Sequence, residues 1–355
     1  MEIIAYGVLA DERPLLEAAF DAAFPGNRQL RCLDLDLDRD TAPTAAGSEI
    51  ILSSVNDTLD AEVLRQLADN GTRMIAQRST GYNNVDLRAA GRLGLTVTRV
   101  SYYSPYAVAE FAWALALAVN RRIVRASVRA REFDFRLDGL LGRDFHGRTV
   151  GVLGTGKIGT AFTRIAHGFG MRLLGCDVTE NPECLALGMT YADRYRIFAE
   201  ADLISLHLPL LPETRHIVDA AALDLMKDDA VLINSSRGGL IDTDALVAAL
   251  RAGRLDGVGL DVYEEEAGLF HLDKSLEVMT DDTLARLMTF RNVVVTSHQA
   301  YFTRDALDQI ISVTVTNVRD YLAGLTGDNT LVAPEVSSPA TTRPTPSITS
   351  PRRKR

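Results

Sequence analysis

From Met1 to about Val100, short apolar runs alternate with segments of helical period. "MEIIAYGVL", "SEIILSSV" and "TRMIAQRS" read as strands, with a short "LTVTRV" after them. "DERPLLEAAFDAAF", "LDAEVLRQLADNG" and "NNVDLRAAGRLG" read as helices, the last two closing on a glycine. Strands alternating with helices predict a parallel sheet, because parallel neighbours need a crossover between them. A long helix is expected over "SPYAVAEFAWALALAVNRRIVRASVRARE", with Ser104 as N-cap and Pro105 at the first helical position. Its first half is apolar nearly all round, which predicts burial in a core or at an interface. A second α/β series follows. Its strands are "RTVGVLG", "MRLLGCD", "ADLISLHLP", "AVLINSS", "DGVGLDV" and "NVVVTS", and "TRDALDQIISVTVTNVRDYLAG" closes the series as a helix. The pattern predicts an α/β protein with two doubly wound parallel-sheet domains.

Composition narrows the class. With 46% hydrophobic and 24% charged residues in 355, the chain has the make-up of a globular protein. No apolar run approaches a membrane span, and the first residues lack the layout of a signal peptide. Cys32, Cys176 and Cys184 form no CxxC pair and no Cys/His cluster, so no metal site is expected and a cytoplasmic setting is. The net charge of −9 argues against a nucleic-acid binder. From Pro334 onward, five basic residues against Glu335 make a tail of +4 and leave −13 for the rest. That Pro/Ser/Thr-rich tail, 334–355, is expected to be disordered. Its "PRRKR" end is either solvated or a docking signal.

"TVGVLGTGKIGTAFTRIAHGFGMRLLGCDV" carries the most specific signal. Gly154, Gly156 and Gly159 form G-x-G-x-x-G directly after a strand and at the opening of a helix, where backbone N–H groups can meet a pyrophosphate. Asp177 ends the next strand, at the distance expected of an acid that accepts from ribose hydroxyls, which favours NAD over NADP. Arg172 lies too early in that strand to take a 2′-phosphate. A methyltransferase with a glycine-rich first turn is the rival reading.

Three later residues separate the two readings. Arg237, the acidic run 264–266 and His298 each follow an apolar strand, and ligand crevices form at such strand ends. Methyl transfer has no evident use for this trio. Hydride transfer to a 2-keto acid uses all three: Arg237 forks onto the carboxylate, His298 protonates the new alkoxide, and Glu266 holds the imidazolium and raises its pKa. Each has a plainer explanation. Arginines after strands often form salt bridges, histidines are often structural, and "EEE" is often a solvated face. His207, in "SLHLP", is the competing histidine, read as structural or cofactor-side.

With these stretches in view, the chain resembles the D-2-hydroxyacid dehydrogenases, most of all their D-lactate dehydrogenase branch. The likeness covers about residues 1–332 through "GYNNVDLRAAGRLGLTVTRV", "YSPYAVAEFA", "VGVLGTGKIG", "SLHLP", "NSSRGGLIDT", "GLDVYEEE" and "TSHQAYFT". The resemblance implies a Rossmann NAD domain, 102–298, inserted into a flavodoxin-like substrate domain, 1–101 plus 299–333, with a cleft between them. It implies a homodimer through the helix starting near Ser104. It assigns catalysis to Arg237, Glu266 and His298. Cofactor contacts carry onto Lys157, Ile158, Asp177, Leu208, Pro209, Thr214, Ser236 and Asp261. Thr80 and Gly81 are implied to meet the substrate carboxylate by backbone, and Tyr103 and Tyr301 to wall the pocket.

Some positions depart from the family pattern. Ser101 stands where proline is common, Thr214 where asparagine is, and Tyr301 where phenylalanine is. Glu266 argues against the formate dehydrogenase branch, and no regulatory domain of the phosphoglycerate dehydrogenase kind is evident. The expected activity is NADH-dependent reduction of pyruvate or a slightly larger 2-keto acid. A glyoxylate or hydroxypyruvate reductase and a non-catalytic NAD-binding scaffold or corepressor are the alternatives.

Overall fold

The computed structural model describes residues 2–26, 29–266 and 268–334. Through Ser101 the elements are β1 (Glu2–Ala5), α1 (Arg13–Ala23), β2 (Gln29–Cys32), β3 (Ser48–Ser53), α2 (Ala61–Asp69), β4 (Met74–Gln77), α3 (Leu87–Arg92) and β5 (Thr96–Thr98). Next come α4 (Pro105–Asn120), α5 (Ile123–Arg131), β6 (Thr149–Leu153), α6 (Lys157–Gly168), β7 (Arg172–Cys176), α7 (Pro182–Ala186), β8 (Thr190–Tyr191), α8 (Arg194–Glu200) and β9 (Leu203–Leu206). The series continues with α9 (Ala220–Leu225), β10 (Val231–Asn234), α10 (Thr243–Arg251), β11 (Gly257–Leu260), α11 (Asp282–Thr289) and β12 (Val293–Val295), and it closes with α12 (Arg304–Leu322) and β13 (Thr330–Val332). Residues up to Ser101 and those from Ile311 form one compact unit, and Tyr102–Ile310 form the other.

The first unit is a six-stranded sheet in the order β13-β5-β4-β3-β1-β2. Its strands are parallel except β13, which runs antiparallel to β5. Successive side chains point to opposite faces, and both faces are covered, so the strands read as unbroken apolar runs. Ile4, Ile51, Ile75 and Val97 pack with Val63, Leu67 and Ala89 of α2 and α3. Ile3, Ile50, Leu52 and Met74 pack with Leu16 and Phe20 of α1 and Val315 and Val318 of α12. The hydrophobic pattern does not disclose β2 or β13. In β2 only Cys32 is buried, and β13 is three residues of intermediate exposure.

The second unit is a seven-stranded, wholly parallel sheet in the order β12-β11-β10-β9-β6-β7-β8. The two-residue β8 was too short to read from the sequence. The chain order reverses between β6 and β9, which is where a doubly wound sheet opens a crevice at its carboxyl edge. On one face Trp113 of α4 stacks on Phe169 with ring centres 4.5 Å apart and on Phe162 at 4.9 Å.

The single long helix expected from Ser104 is two helices. Ser104 caps α4 as predicted, its Oγ accepting from the Ala107 N–H at 3.4 Å. The helix stops at Asn120, and Arg122 takes φ +53° before α5 begins. In the polar "NRR" step the buried Asn120 bonds the Arg143 backbone and Arg122 reaches Asp256 at 2.6 Å, so these side chains are held by partners outside the helix at its end. No residue of α5 is buried. No helix among the described residues is long and apolar enough to cross a membrane, and the tail 335–355 lies outside the described residues.

Candidate active site

The turn after β6 is built by its glycines. Gly154 has φ +93°, and a Cβ there would press on the His207 carbonyl oxygen at 2.5 Å, because the ends of the paired strands β6 and β9 lie side by side here. A Cβ at Gly159 would overlap the Gly154 carbonyl. At Gly156 a Cβ would meet no protein atom within 4 Å, so protein packing does not demand glycine there. Close approach of a ligand backbone or pyrophosphate does. Gly156 is the N-cap of α6, whose first N–H groups face that space. These residues therefore fit a dinucleotide.

Asp177 lies just past β7. Its Oδ2 accepts from Thr155 N at 2.6 Å and Thr155 Oγ1 at 3.1 Å, and its Oδ1 from Val178 N at 2.7 Å. The acid is thus tied to the glycine turn. Sequence reasoning missed its support: Tyr191 donates to Thr155 Oγ1 at 2.8 Å, and Asn181 Nδ2 donates to the Thr155 carbonyl at 2.8 Å. Lys157 places its ammonium 4.1 Å above the Tyr102 ring, and Ile158 packs at the edge of the α4–α6 core. Arg172 pairs with Glu200 at 3.2 Å.

After β9, Leu208 offers its carbonyl to Ser236 Oγ at 2.6 Å. Pro209 is exposed. The Thr214 hydroxyl is spent inside the same loop, donating to the Pro209 carbonyl at 2.6 Å and accepting from Leu211 N at 2.8 Å. His207 has Nε2 2.9 Å from Ser205 Oγ and its ring against Phe162. Burial pushes its imidazole down to about 3, which keeps the ring neutral near pH 7.

Arg237 follows β10 in extended backbone, and its Nη1 donates to the Ser236 carbonyl at 2.7 Å. Buried Asn234, unnoticed in the sequence, braces this turn. Its Nδ2 donates to the Arg237 carbonyl at 2.8 Å and its Oδ1 accepts from Ser236 N at 3.0 Å. A Cβ on Gly238 would collide with the Tyr263–Glu264 backbone, so glycine lets the Arg237 turn close onto the acidic segment.

Glu266 and His298 meet. The Nδ1 of His298 lies 2.9 Å from Glu266 Oε1, and Glu266 Oε2 accepts from Tyr263 N at 3.0 Å. Burial pushes the Glu266 carboxyl up, but the His298 bond and charge, the Tyr263 N–H and the Arg237 charge outweigh it, and its pKa is lowered. A carboxylate on Nδ1 fixes the imidazole orientation and leaves Nε2 to face a substrate. His298 itself sits at φ +52°, a costly conformation for a side chain with a Cβ. Asp261, fully buried, holds it there. The Asp261 carbonyl accepts from His298 N at 2.6 Å, while its carboxylate accepts from Thr296 Oγ1, Gln299 N and Ala300 N at 2.6, 3.0 and 2.8 Å. Burial raises the Asp261 pKa despite these bonds.

Tyr103 and Tyr301 meet edge to face with centres 6.3 Å apart. Burial pushes the Tyr103 phenol up, with Arg237 opposing. His271, which the sequence gave no reason to single out, brings its ring to 6.3 Å from that of His298. Thr80 and Gly81 belong to the other unit, directly past β4. There Ser79 Oγ donates to the Gly81 carbonyl at 2.6 Å, and among the described residues neither Thr80 N nor Gly81 N has an acceptor. Three or more metal-ligating side chains gather nowhere among the described residues.

Known proteins resemble this chain in sequence and fold. The D-isomer specific 2-hydroxyacid dehydrogenase NAD binding domain matches residues 113–300. The chain is 48% identical over 286 residues to the 2-hydroxyacid dehydrogenase homolog 1 of Schizosaccharomyces pombe, covering 80% of this chain and 86% of that protein. It is 45% identical over 304 residues to the D-lactate dehydrogenase of Escherichia coli, covering 86% and 92%. Among solved structures, the pyruvate reductase of Chlamydomonas reinhardtii superposes with a TM-score of 0.88 at 37% identity, over 93% of this chain and 98% of that one. The glycine turn, the Glu266–His298 pair beside Arg237 and these likenesses together show that the chain belongs to the D-isomer specific 2-hydroxyacid dehydrogenases and is an NAD-dependent oxidoreductase.

Proposed function

We propose that this dehydrogenase reduces pyruvate to D-lactate with NADH, as a cytoplasmic homodimer. The observation that carries the reading is the Glu266–His298 pair at 2.9 Å, with Arg237 close enough for its charge to lower the Glu266 pKa. The names of the Escherichia coli and Chlamydomonas reinhardtii relatives support pyruvate as the keto acid.

The dinucleotide would be held by the turn from Gly154 to Gly159 with Lys157 and Ile158, by Asp177 at the ribose, and by Leu208, Pro209, Thr214, Ser236 and Asp261 toward the nicotinamide. NADH supplies the hydride when bound. Arg237 forks onto the substrate carboxylate and polarises the adjacent carbonyl. His298 Nε2 gives its proton to the oxygen as negative charge develops, and Glu266 steadies the imidazolium beforehand. Thr80 and Gly81 offer backbone N–H groups to the carboxylate, and Tyr103 and Tyr301 limit the side chain that fits.

Three free cysteines, none in a disulfide, suit a reducing compartment. The dimer reading rests on exposed apolar side chains: Val128 of α5 is 53% exposed, and beyond it Phe133 and Leu141 are 83% and 89% exposed. Exposed large apolar side chains in one stretch of chain suit an interaction surface.

The test is NADH oxidation with pyruvate, 2-ketobutyrate, phenylpyruvate, glyoxylate and hydroxypyruvate, followed by chiral analysis of the product. Fastest turnover of pyruvate to the D-isomer is expected. Preference for glyoxylate or hydroxypyruvate would reassign the substrate, and NADH binding without turnover of any acid would favour the scaffold.

A further inference from the structure

Three strand-end loops that carry site residues come together around Glu264. Glu264 Oε1 accepts from Arg215 Nη2 at 2.7 Å and from His216 Nε2 at 2.7 Å. Arg215 and His216 end the loop after β9, which holds Leu208, Pro209 and Thr214. Glu264 lies in the loop after β11, just ahead of Glu266. The turn after β10 is gripped between them: the Gly239 carbonyl accepts from His216 N at 2.9 Å, and Gly238 abuts the Tyr263–Glu264 backbone. Asp242 Oδ2 reaches His216 Nδ1 at 4.0 Å from the same turn.

The Glu264 side chain is only 13% exposed. Its two donors share one oxygen, with His216 partly covered at 32% exposure and Arg215 open at 56%, so the His216 bond is the better shielded of the two. His216 keeps φ +51°, which a residue with a Cβ tolerates only where its surroundings impose it. The middle of "EEE" is exposed and the two flanking acids are spoken for, one by Arg215 and His216, the other by His298.

We infer that Arg215, His216 and Glu264 form a latch that positions Glu266 for the acid–base step. The inference rests on the reading of Glu266–His298 as the acid–base pair. Glu266 takes one of its two anchors, the Tyr263 N–H, from the turn that Glu264 pins. None of the three latch residues touches the reacting atoms; they are positioning residues. A merely structural ion cluster would lower thermal stability and leave kcat per folded molecule alone.

The experiment is a double-mutant cycle on the NADH-loaded enzyme with Glu264→Ala, Glu266→Gln and both together, reading kcat, KM and Tm. Glu264→Ala is expected to lower kcat about tenfold with a smaller change in KM, and to lower it less than about twofold when Glu266→Gln is already present, because the latch acts through Glu266. Arg215→Gln with His216→Asn, read in the same cycle, removes the latch from its other side and serves if Glu264→Ala does not fold. An unchanged kcat in both latch variants overturns the inference. So does a full tenfold loss persisting in the Glu266→Gln background, which would leave the acid–base reading standing. An unchanged kcat in Glu266→Gln alone overturns the acid–base reading, and the latch with it.

Discussion

Arg78 and Arg237 occupy the same kind of place, just beyond a buried parallel strand, and they have opposite fates. In the first unit Arg78 follows β4 with its side chain 4% exposed. Its guanidinium is consumed by the Glu12 carboxylate and the Tyr6 carbonyl. In the second unit Arg237 follows β10, and among the described residues its guanidinium bonds only the neighbouring Ser236 carbonyl. No carboxylate lies within ion-pair distance of Arg237 among the described residues, although Glu266 feels its charge. A charge paired within the fold serves the fold. A charge held close to the proposed acid–base pair without an acidic partner of its own is what the proposed reading needs for a substrate carboxylate. The same local sequence signal, an apolar run ending near arginine, carries both meanings.

The comparison can be broken at either end. The largest effect belongs to Arg237→Lys, expected to lower kcat/KM for the keto acid by about a hundredfold or more, because a point charge cannot replace the bidentate fork in a dry site. Its NADH affinity and Tm should stay near wild type. Unchanged kinetics would make Arg237 as structural as Arg78.

Arg78→Met should act in the reverse sense. It leaves Glu12 buried without its cation, which costs about 3–5 kcal/mol and lowers Tm by several degrees. kcat per folded molecule should change much less than in Arg237→Lys. A kcat loss matching that of Arg237→Lys with no fall in Tm would place Arg78 in the chemistry.

The smallest effect concerns His207, the other histidine at a strand end. Its folded pKa is lowered to about 3 by burial, below an unfolded value of about 6.5. Between those values the unfolded chain binds the extra proton, so stability is full above about pH 6.5 and is lost as pH falls toward 3. The residue as a whole is of intermediate exposure, and the loss from pH 7 to pH 5 is about 1–2 kcal/mol. His207→Gln should flatten the fall of Tm over that range while turnover at pH 7 persists. A pH slope identical to wild type would show that His207 titrates freely.

Legibility in the sequence was uneven for physical reasons. The strands with two covered faces stood out because burial on both sides demands unbroken apolar runs, and β2, with one buried residue, did not. G-x-G-x-x-G was legible because its spacing between a strand and a helix is a local pattern, although the steric demand at Gly154 comes from the distant His207 and protein packing makes none at Gly156. The break between α4 and α5 was hidden. Helical propensity continues through "NRRIVRAS", and the choice of φ +53° at Arg122 goes with an ion pair to Asp256, far along the chain. The support of the site was hidden for the same reason. Asn234, Thr155, Asn181 and Tyr191 are ordinary polar residues until the strand ends bring their partners within reach, and Glu264 is one of three identical letters.

By itself the sequence determined two α/β series, a dinucleotide turn with its acid, and the residue types that hydride transfer to a 2-keto acid needs. Those are consequences of periodicity, of glycine sterics and of side-chain chemistry, all local. Only the tertiary structure decided which arginine is spent and which is kept, which histidine stays neutral, and which glutamate of the run faces His298. Those outcomes depend on desolvation and on charges brought together from distant strands, and neither exists until the sheet has formed.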